Sequence, residues 1–477
     1  MIVGIRDYLM MICETTPTTL TETNVQICRR STRLKIKDFQ SRVSWSVESE
    51  PLGYFTLLPT ELMYQILHTL TIQDIGILSL TSKSLRDVIS VYINSRSGMK
   101  RIQPRKLVHL RKHSCKRTIC DNHMSHYRNI GLLLKRTTCL YPTRERLRIL
   151  ENCVSQLQGV NRIFTCQALS CHGQLLSTFT RGWEERECMR AYLTVSESQS
   201  MTNKILMMLS GNPGSNSQVE IKTRRFFRHV LLDQCKVMED LSMWLNFILK
   251  PFPMVHQARM LYLLYGPLCP NTDVIFWECM AEPSIGEGES RHRAIAPLSE
   301  IAMALKALFM HKEWSDDDVI SVLEELTGCP DEWLIENIAR LLILCGESIT
   351  LKVLGSKAIN GKMTDLGNTI VAFSVVLYDE GLRMSWLIKI VQQLCQMMRT
   401  SQDVKAFLAS ITATYKDFIL ALMYTPGEEV TTMQIQVHHI AMAQSDFMQG
   451  LMLQLFGSTP PSLQQPRISL QNYRKEN

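Results

Sequence analysis

Apolar positions between residues 58 and 93 recur at the spacing of three short amphipathic helices. In the first helix, Pro59 suits the first turn, where its missing N–H is not needed, and Glu61 complements the positive end of the helix dipole. The apolar residues of this helix fall on one stripe: Leu58, Leu62, Met63, Ile66, Leu67 and Leu70. The pattern predicts a helix with one continuous apolar face.

Capping residues predict where the second and third helices begin. Thr71 and Asp74 have the spacing of a capping box, with Asp in place of the usual Glu or Gln. Ser82 or Ser84 can open the third helix. The apolar residues of these two helices are Ile75, Leu78, Leu80, Leu85, Val88, Ile89, Tyr92 and Ile93. A core of about 40 residues is too small to be stable alone, so the segment predicts a surface for a partner.

This segment resembles the F-box, the adaptor-binding module of cullin-RING ubiquitin ligases. The matching residues are Leu58-Pro59-x-Glu61-Leu62, Ile66-Leu67-x-x-Leu70, Asp74-Ile75-x-x-Leu78 and Ser82-Lys83-x-Leu85. The resemblance implies that a Skp-family adaptor, and through it a cullin, binds here. The residues predicted to contact the adaptor are Leu58, Pro59, Leu62, Ile66, Leu67, Leu70, Ile75 and Leu78. The alternative interpretation is a plain helical hairpin inside a larger helical domain.

The remainder of the chain has the pattern of successive helices joined by short connections, and strand patterns are sparse. We therefore predict an all-α fold, in which a three-helix F-box precedes a helical-repeat-like, α-solenoid-like domain. No fixed period identifies the class of repeat. The predicted helices include Glu184–Thr194, Met201–Leu209, Arg224–Leu249, Met254–Tyr265, Met384–Met398 and Val404–Met423, and Thr143 is a predicted cap. We expect the F-box to contribute little to the core of the domain that follows it.

Composition divides the chain into five predicted segments. They are a disordered N-terminal segment at 1–50, the F-box at 51–95, a basic linker at 96–126, a helical substrate-recognition domain at 127–455 and a disordered tail at 456–477. The first segment is rich in Thr and Ser without sustained periodicity, and the tail is rich in proline.

The net charge of +7 conceals an asymmetry along the chain. Residues 1–150 carry 24 Lys and Arg against 11 Asp and Glu, whereas residues 151–477 carry 28 against 34. The segment from Arg96 to Arg148 alone holds 15 basic and two acidic residues. Such a segment can bind nucleic acid or an acidic protein. We favour a solvated basic helix face, or a docking surface for the acidic part of the chain.

No pattern predicts a catalytic residue, a cofactor or a metal site. Cys115, Cys120, His123 and His126 form C-x4-C-x2-H-x2-H, but two residues between the histidines are too few to place both on one helical face for zinc. The 15 cysteines are an odd number at scattered spacings, which favours reduced thiols. They include no C-x-x-C pair, which excludes a RING within this chain.

Longer segments resemble one family of F-box proteins over roughly residues 50 to 450. They are Arg128–Arg136, Pro142–Leu147, Ile248–Arg259 and Glu332–Leu344. This resemblance implies a non-catalytic substrate receptor of a ubiquitin ligase, binding an unknown protein substrate in a germline, meiotic setting.

The chain is expected to act inside the cell, in the nucleus or the cytoplasm. No apolar run approaches the ~20 residues that span a bilayer, so we expect no membrane partner. The alternative function is a non-catalytic helical scaffold whose basic segment contacts nucleic acid or chromosomes.

Overall fold

The computed structural model describes residues 52–102, 121–159, 166–269, 272–281, 289–424 and 430–455. Across these ranges the only β pairing is an isolated bridge between Leu268 and Ile275, and helices form the rest of the architecture. The all-α prediction is confirmed. The predicted disordered segments 1–50 and 456–477, and residues 103–120 of the predicted basic linker, lie outside the described residues.

The described residues up to Trp277, together with Met310–Ser315, form a first compact unit. Its helices are α1 (Thr60–Thr69), α2 (Ile72–Thr81), α3 (Lys83–Asn94), α4 (Arg96–Ile102), α5 (Asp121–Thr137), α6 (Thr143–Gly159), α7 (Cys166–Thr180), α8 (Glu185–Ser198), α9 (Met201–Ser210), α10 (Ser217–Val230), α11 (Met238–Leu249) and α12 (Met254–Tyr265). Two short 3-10 helices, Gly53–Leu57 and Leu232–Gln234, belong to the same unit.

A second compact unit contains Glu278–Phe309 and the described residues from Asp316 onward. Its helices are α13 (Glu289–Phe309), α14 (Asp316–Gly328), α15 (Ile335–Cys345), α16 (Glu347–Ile359), α17 (Met363–Asp379), α18 (Met384–Met397), α19 (Ser401–Met423) and α20 (Val430–Leu455). Helix α17 packs against α15, α19 and α20, and its residues Ile370 and Phe373 are fully buried.

By length and composition alone, helix α19 could cross a membrane, contrary to the expectation that no apolar run approaches that length. It packs on α17, where the hydroxyls of Tyr415 and Ser374 are hydrogen-bonded at 2.5 Å. Phe407 and Ile411 are buried on the same face of the helix. These contacts give α19 a packed face within the second unit.

Capping side chains start the F-box helices where the sequence predicted. Thr71 is the N-cap of α2: its Oγ1 accepts a hydrogen bond from the Asp74 N–H at 3.1 Å, and the Asp74 carboxylate accepts one from the Thr71 N–H at 3.3 Å. Ser82 caps α3 by accepting from the Leu85 N–H. Pro59 is the N-cap of α1 and so precedes the first turn by one residue. Local side-chain chemistry therefore sets the starts of α2 and α3, whereas α1 starts after a proline that makes no side-chain cap.

The F-box shares its core with the helices that follow, contrary to the expectation that it contributes little there. Helix α2 packs against α5 so closely that a Cβ on Gly76 would lie 3.0 Å from Arg136 Nη1. The hydroxyls of Ser90 and Tyr141 form a hydrogen bond between α3 and the connection that follows α5. The F-box is part of the first unit.

Two further predictions about helix boundaries are wrong. The predicted helix Arg224–Leu249 is two helices, because α10 ends at Val230 and α11 begins at Met238. Between them Arg228 Nε donates a hydrogen bond to Asp233 Oδ1 at 2.6 Å, which fixes the turn. Thr143 is no cap: it lies within α6, and its hydroxyl donates to Glu187 Oε1 at 2.6 Å.

Candidate functional site

Three consecutive elements at the start of the first unit expose large apolar side chains to solvent. The 3-10 helix exposes Tyr54, Phe55 and Leu57, α1 exposes Leu62 and Ile66, and α2 exposes Ile77 and Leu80. We call these seven residues the apolar F-box surface. The exposed fractions of Leu62 and Ile77 are 45% and 50%, so much of their apolar area remains in contact with water.

Helix α1 explains why so much apolar area is exposed. Met63 and Leu67 point into the unit and are 5% and 1% exposed, whereas Leu62 and Ile66 are 45% and 39% exposed. Each exposed residue precedes a buried one, and one residue rotates the side chain by about 100° around a helix. The apolar stripe of α1 is therefore wider than its own core contact requires.

Polar and aromatic contacts hold the inner face of α1 in place. Arg101 Nη1 donates a hydrogen bond to the backbone oxygen of Leu67 at 2.5 Å. The rings of Tyr64 and Tyr92 lie 5.3 Å apart between centroids, and His68 Nδ1 lies 3.3 Å from the Tyr92 hydroxyl. These contacts come from α3 and α4, whereas Leu62 and Ile66 on the outer face of α1 remain exposed.

The eight predicted adaptor-contact residues do not all lie on the exposed surface. Pro59, Leu62 and Ile66 are exposed, and Leu58, Leu70 and Leu78 are partly exposed. Leu67 and Ile75 are 1% and 2% exposed, so both belong to the core of the unit. With so little accessible area these two side chains offer a partner far less contact than the other six, and the assignment of all eight to the adaptor stays a prediction.

Sequence reasoning missed five residues of the apolar F-box surface: Tyr54, Phe55, Leu57, Ile77 and Leu80. Helix α2 turns small residues inward, with Gly76 buried and Ser79 1% exposed, because it packs closely on α5. The larger Ile77 and Leu80 then face outward. The sequence signal for Ile77 and Leu80 was the pair of small residues Gly76 and Ser79, because small residues mark the helix face that packs closely on a neighbour.

Transfer of this surface from water into an interface would be favourable. Complete burial of a Leu or Ile side chain contributes about 1.5 to 3 kcal/mol. Seven half-exposed side chains can therefore contribute several kcal/mol, on the order of 1 kcal/mol each. Large exposed apolar patches are typical of protein interaction sites, and these seven exposed residues all fall within the short segment 54–80.

The described part of the chain holds no cluster of metal ligands, and two of its buried thiols are weak nucleophiles. Within it, no group of three or more His, Cys, Asp or Glu side chains could hold a metal ion. Cys115 and Cys120 of the C-x4-C-x2-H-x2-H pattern lie outside the described residues. Burial raises the pKa of Cys188 and of Cys345 to about 12, which keeps these thiols protonated and weakly nucleophilic at neutral pH.

Family comparisons coincide with these structural features. The F-box domain model matches residues 55–93, the segment that carries the apolar F-box surface. A second model, described as FBXO47, ARM repeats, matches residues 197–465. F-box only protein 47 of Mus musculus is 34% identical over 438 residues, which cover 88% of this chain and 94% of that protein. The chain belongs to the F-box only protein 47 family. F-box only protein 47 of Homo sapiens is 35% identical over 406 residues, which cover 83% of this chain and 88% of that protein.

Membership of the F-box only protein 47 family answers a question that the sequence left open. The predicted helical-repeat-like domain is confirmed, and its repeats are of the ARM class, whose matched region begins at residue 197. An F-box generally implies binding to a Skp-family adaptor, and F-box only proteins are typically substrate adaptors of ubiquitin ligases. No solved structure matches the chain.

Proposed function

We propose that this chain is the substrate-recognition subunit of a Skp-cullin-F-box ubiquitin ligase. The apolar F-box surface binds the Skp-family adaptor and through it a cullin, and the helical region binds a protein substrate. The chain is non-catalytic and acts by proximity, since tethering makes the encounter between a substrate lysine and the charged conjugating enzyme effectively intramolecular. The observation that carries the proposal is the outer face of α1, where Leu62 and Ile66 are exposed beside a well-packed inner face.

Co-purification with the adaptor and cullin tests this proposal. The double variant Leu62→Asp/Ile66→Asp places two charges on the outer face of α1 and leaves Met63 and Leu67 untouched. The matched control is Leu140→Asp, because Leu140 is 67% exposed in the connection between α5 and α6, outside the F-box. We expect the double variant to lose at least a hundredfold in adaptor affinity, which corresponds to about 2.7 kcal/mol, while the control binds like wild type.

Circular dichroism and thermal unfolding establish that the double variant is folded. A folded Leu62→Asp/Ile66→Asp protein that retains full adaptor binding would overturn the proposal. Equal loss in the Leu140→Asp control would also contradict it, because that residue lies outside the proposed interface.

The cellular setting is part of the same proposal. We propose action in the nucleus or cytoplasm of germline cells during meiosis, and its support is membership of the F-box only protein 47 family together with the resemblance stated from the sequence. Immunostaining of germline and somatic tissue tests this setting. Protein confined to somatic cells would contradict it.

The second candidate function is a helical scaffold whose basic segment binds nucleic acid, favoured by the charge of residues 96–148. Three basic side chains of that segment have internal roles: Arg101 donates to Leu67, Lys135 donates to the Arg181 backbone oxygen, and Arg146 lies 4.6 Å from the centre of the Trp183 ring. Arg146 is also paired with Glu187. These residues therefore do not form one free basic stripe, and we rank this function second.

Salt dependence separates the two candidates. Nucleic-acid affinity should fall with salt at a log-log slope of about −0.9 per phosphate contact. We expect weak, sequence-independent binding by the purified chain. Tight, sequence-selective binding at physiological salt would favour the scaffold.

A further inference from the structure

A polar cleft of about 380 Å³ opens within the first unit, away from the apolar F-box surface. Its volume lies in the range of about 300 to 1,000 Å³ that is common for ligand sites. Helix α5 lines it with Arg128, Leu132 and Lys135, which lie on one face at positions i, i+4 and i+7. The other walls come from α7, from the turn after α7, from α8 and from the segment around the start of α11.

Four basic residues line this cleft: Arg128, Lys135, Arg181 and Lys236. None of the four forms an ion pair with any of the residues that the structure describes. Unpaired cations in a cleft attract an anion more strongly than cations spread over an open surface, since the protein walls exclude part of the screening solvent.

Lys135 and Arg181 are in direct contact in this cleft. Lys135 Nζ donates a hydrogen bond to the backbone oxygen of Arg181, so the ammonium group is held at the turn after α7. Gly182 has a φ of 82°, and a Cβ on it would lie 3.9 Å from Lys135 Nζ. The pKa of Lys135 is lowered, first by burial and then by the positive charge of Arg181. An anion between the two cations would relieve this repulsion.

The cleft also has acidic lining residues, which limit what kind of anion can bind. Asp233 and Asp240 line it, and Asp233 is already paired with Arg228. A nucleic-acid backbone carries a negative charge at every nucleotide and would meet these carboxylates. A peptide with a single anionic side chain would meet the basic wall alone. The indoles of Trp183 and Trp244 also line the cleft and offer apolar contact to neighbouring peptide residues.

We propose that this cleft binds one anionic side chain of the substrate protein, a phosphorylated Ser or Thr or an Asp or Glu, against Arg128, Lys135 and Arg181. The proposal rests on the substrate-receptor function stated above and adds the chemical class of the substrate. Charge-assisted hydrogen bonds from guanidinium and ammonium groups to phosphate or carboxylate oxygens supply the affinity. Phosphate and carboxylate share this chemistry, and the peptides in the experiment distinguish them.

Fluorescence anisotropy with three peptide pools tests the proposal. The pools have degenerate flanking residues around a fixed phosphoserine, glutamate or serine, and the protein is the full chain in complex with a Skp-family adaptor. Wild type should bind the phosphoserine or the glutamate pool at least tenfold more tightly than the serine pool. The pool that binds more tightly identifies the anionic group.

Charge reversal locates the binding site. Arg128→Glu/Arg181→Glu changes two exposed residues of the basic wall, and Arg190→Glu is the matched control because Arg190 is exposed on α8 outside the cleft. The preference for an anionic pool should disappear in the double variant and persist in the control. No preference in wild type, or a preference unchanged in the double variant, overturns the proposal.

Two further measurements distinguish failure of the cleft proposal from failure of the proposed function, and a peptide site from a nucleic-acid site. Adaptor capture is measured on the same samples, so a wild type that captures the adaptor but shows no preference for an anionic pool refutes the cleft and leaves the proposed function standing. Single-stranded DNA of matched length is the competing ligand. If DNA binds more tightly than the peptides, and the double variant abolishes its binding, the cleft is a nucleic-acid site and the peptide proposal is refuted.

Discussion

The hydroxyls of Ser90 and Tyr141 are hydrogen-bonded to each other and join the F-box to the connection between α5 and α6. Ser90 is 5% exposed, so its hydroxyl has little access to water. We expect Tyr141→Phe to lower the free energy of unfolding by about 1 to 3 kcal/mol, because it leaves the Ser90 hydroxyl without this partner. Urea denaturation of the full chain measures the change.

A control for the hydroxyl deletion is Tyr424→Phe, because Tyr424 is 80% exposed and should tolerate the change. The double variant Ser90→Ala/Tyr141→Phe should lose less free energy of unfolding than the sum of the losses in the two single variants, since both remove the same hydrogen bond. Strict additivity would show that the two hydroxyls are not coupled.

Substitution of Leu67 should mainly lower stability, whereas substitution of Leu62 should mainly weaken adaptor binding. Leu67→Ala should lower the free energy of unfolding by about 2 to 5 kcal/mol, because it removes a side chain that is only 1% exposed. Leu62→Ala removes a half-exposed side chain and should change stability by less than about 1 kcal/mol while still weakening adaptor binding. Equal losses of stability would mean that α1 lacks distinct inner and outer faces. Chemical denaturation and adaptor titration measure the two quantities.

A buried ion pair should stabilise the loop before α10. Glu220 is 1% exposed, its Oε1 lies 3.9 Å from Arg259 Nη2, and it accepts hydrogen bonds from the Gly214 N–H at 2.9 Å and from Trp277 Nε1 at 3.1 Å. Glu220→Ala removes these acceptors and the counter-charge of a buried guanidinium, so we expect a loss of about 3 to 5 kcal/mol.

Thermal unfolding with Glu239→Ala as the control tests the ion pair, because Glu239 is exposed in the first turn of α11. Unfolding free energies of the two variants that differ by less than about 1 kcal/mol would contradict a stabilising role for the buried pair.

His172 should make the first unit sensitive to acid. Burial lowers the pKa of His172 to about 4, and its Nδ1 donates a hydrogen bond to the Ala168 backbone oxygen at 2.8 Å. The unfolded chain binds the proton near pH 6.5 and the folded chain only near pH 4, so stability is complete above about 6.5 and falls as the pH decreases towards 4. The loss at about pH 4.5 should be about 2 to 3 kcal/mol.

Comparison of wild type with His172→Gln at about pH 7.5 and about pH 4.5 isolates this contribution, because glutamine does not titrate. The variant should lose less stability between the two pH values than wild type. Identical pH dependence would place the acid sensitivity elsewhere.

Helix starts in the F-box could be predicted because their causes are local. The Thr71–Asp74 capping box and the Ser82 cap are formed by residues three apart in the chain. The end of α10 could not be predicted, because residues 231–237 contain neither Gly nor Pro. The Arg228–Asp233 contact that fixes this turn has no sequence signature. A helix start that is set by a capping side chain can be predicted from one sequence. A helix end that is set by a turn without a sequence signature cannot.

The candidate functional surface could likewise be predicted only in part from the sequence. The apolar residues of α1 could be found from spacing, but two adjacent rows are apolar, and spacing does not say which row a neighbouring helix covers. The choice between Leu67 and Ile66 depends on α3 and α4, which supply Tyr92 and Arg101 to the inner side. The cleft was missed because its basic residues are far apart in the chain and meet only when α5 and α7 pack together.

Helix α5 has two working faces, since Arg136 lies against Gly76 of the F-box while Arg128 and Lys135 line the cleft. Because this one helix contacts both, the proposed adaptor site and the cleft would keep a constant separation. A substrate anchored in the cleft would then present only those lysines that lie at a suitable distance from its anchor. The helix would then set the distance between the ligase and the anchored substrate, and that distance would determine which lysines of the substrate receive ubiquitin.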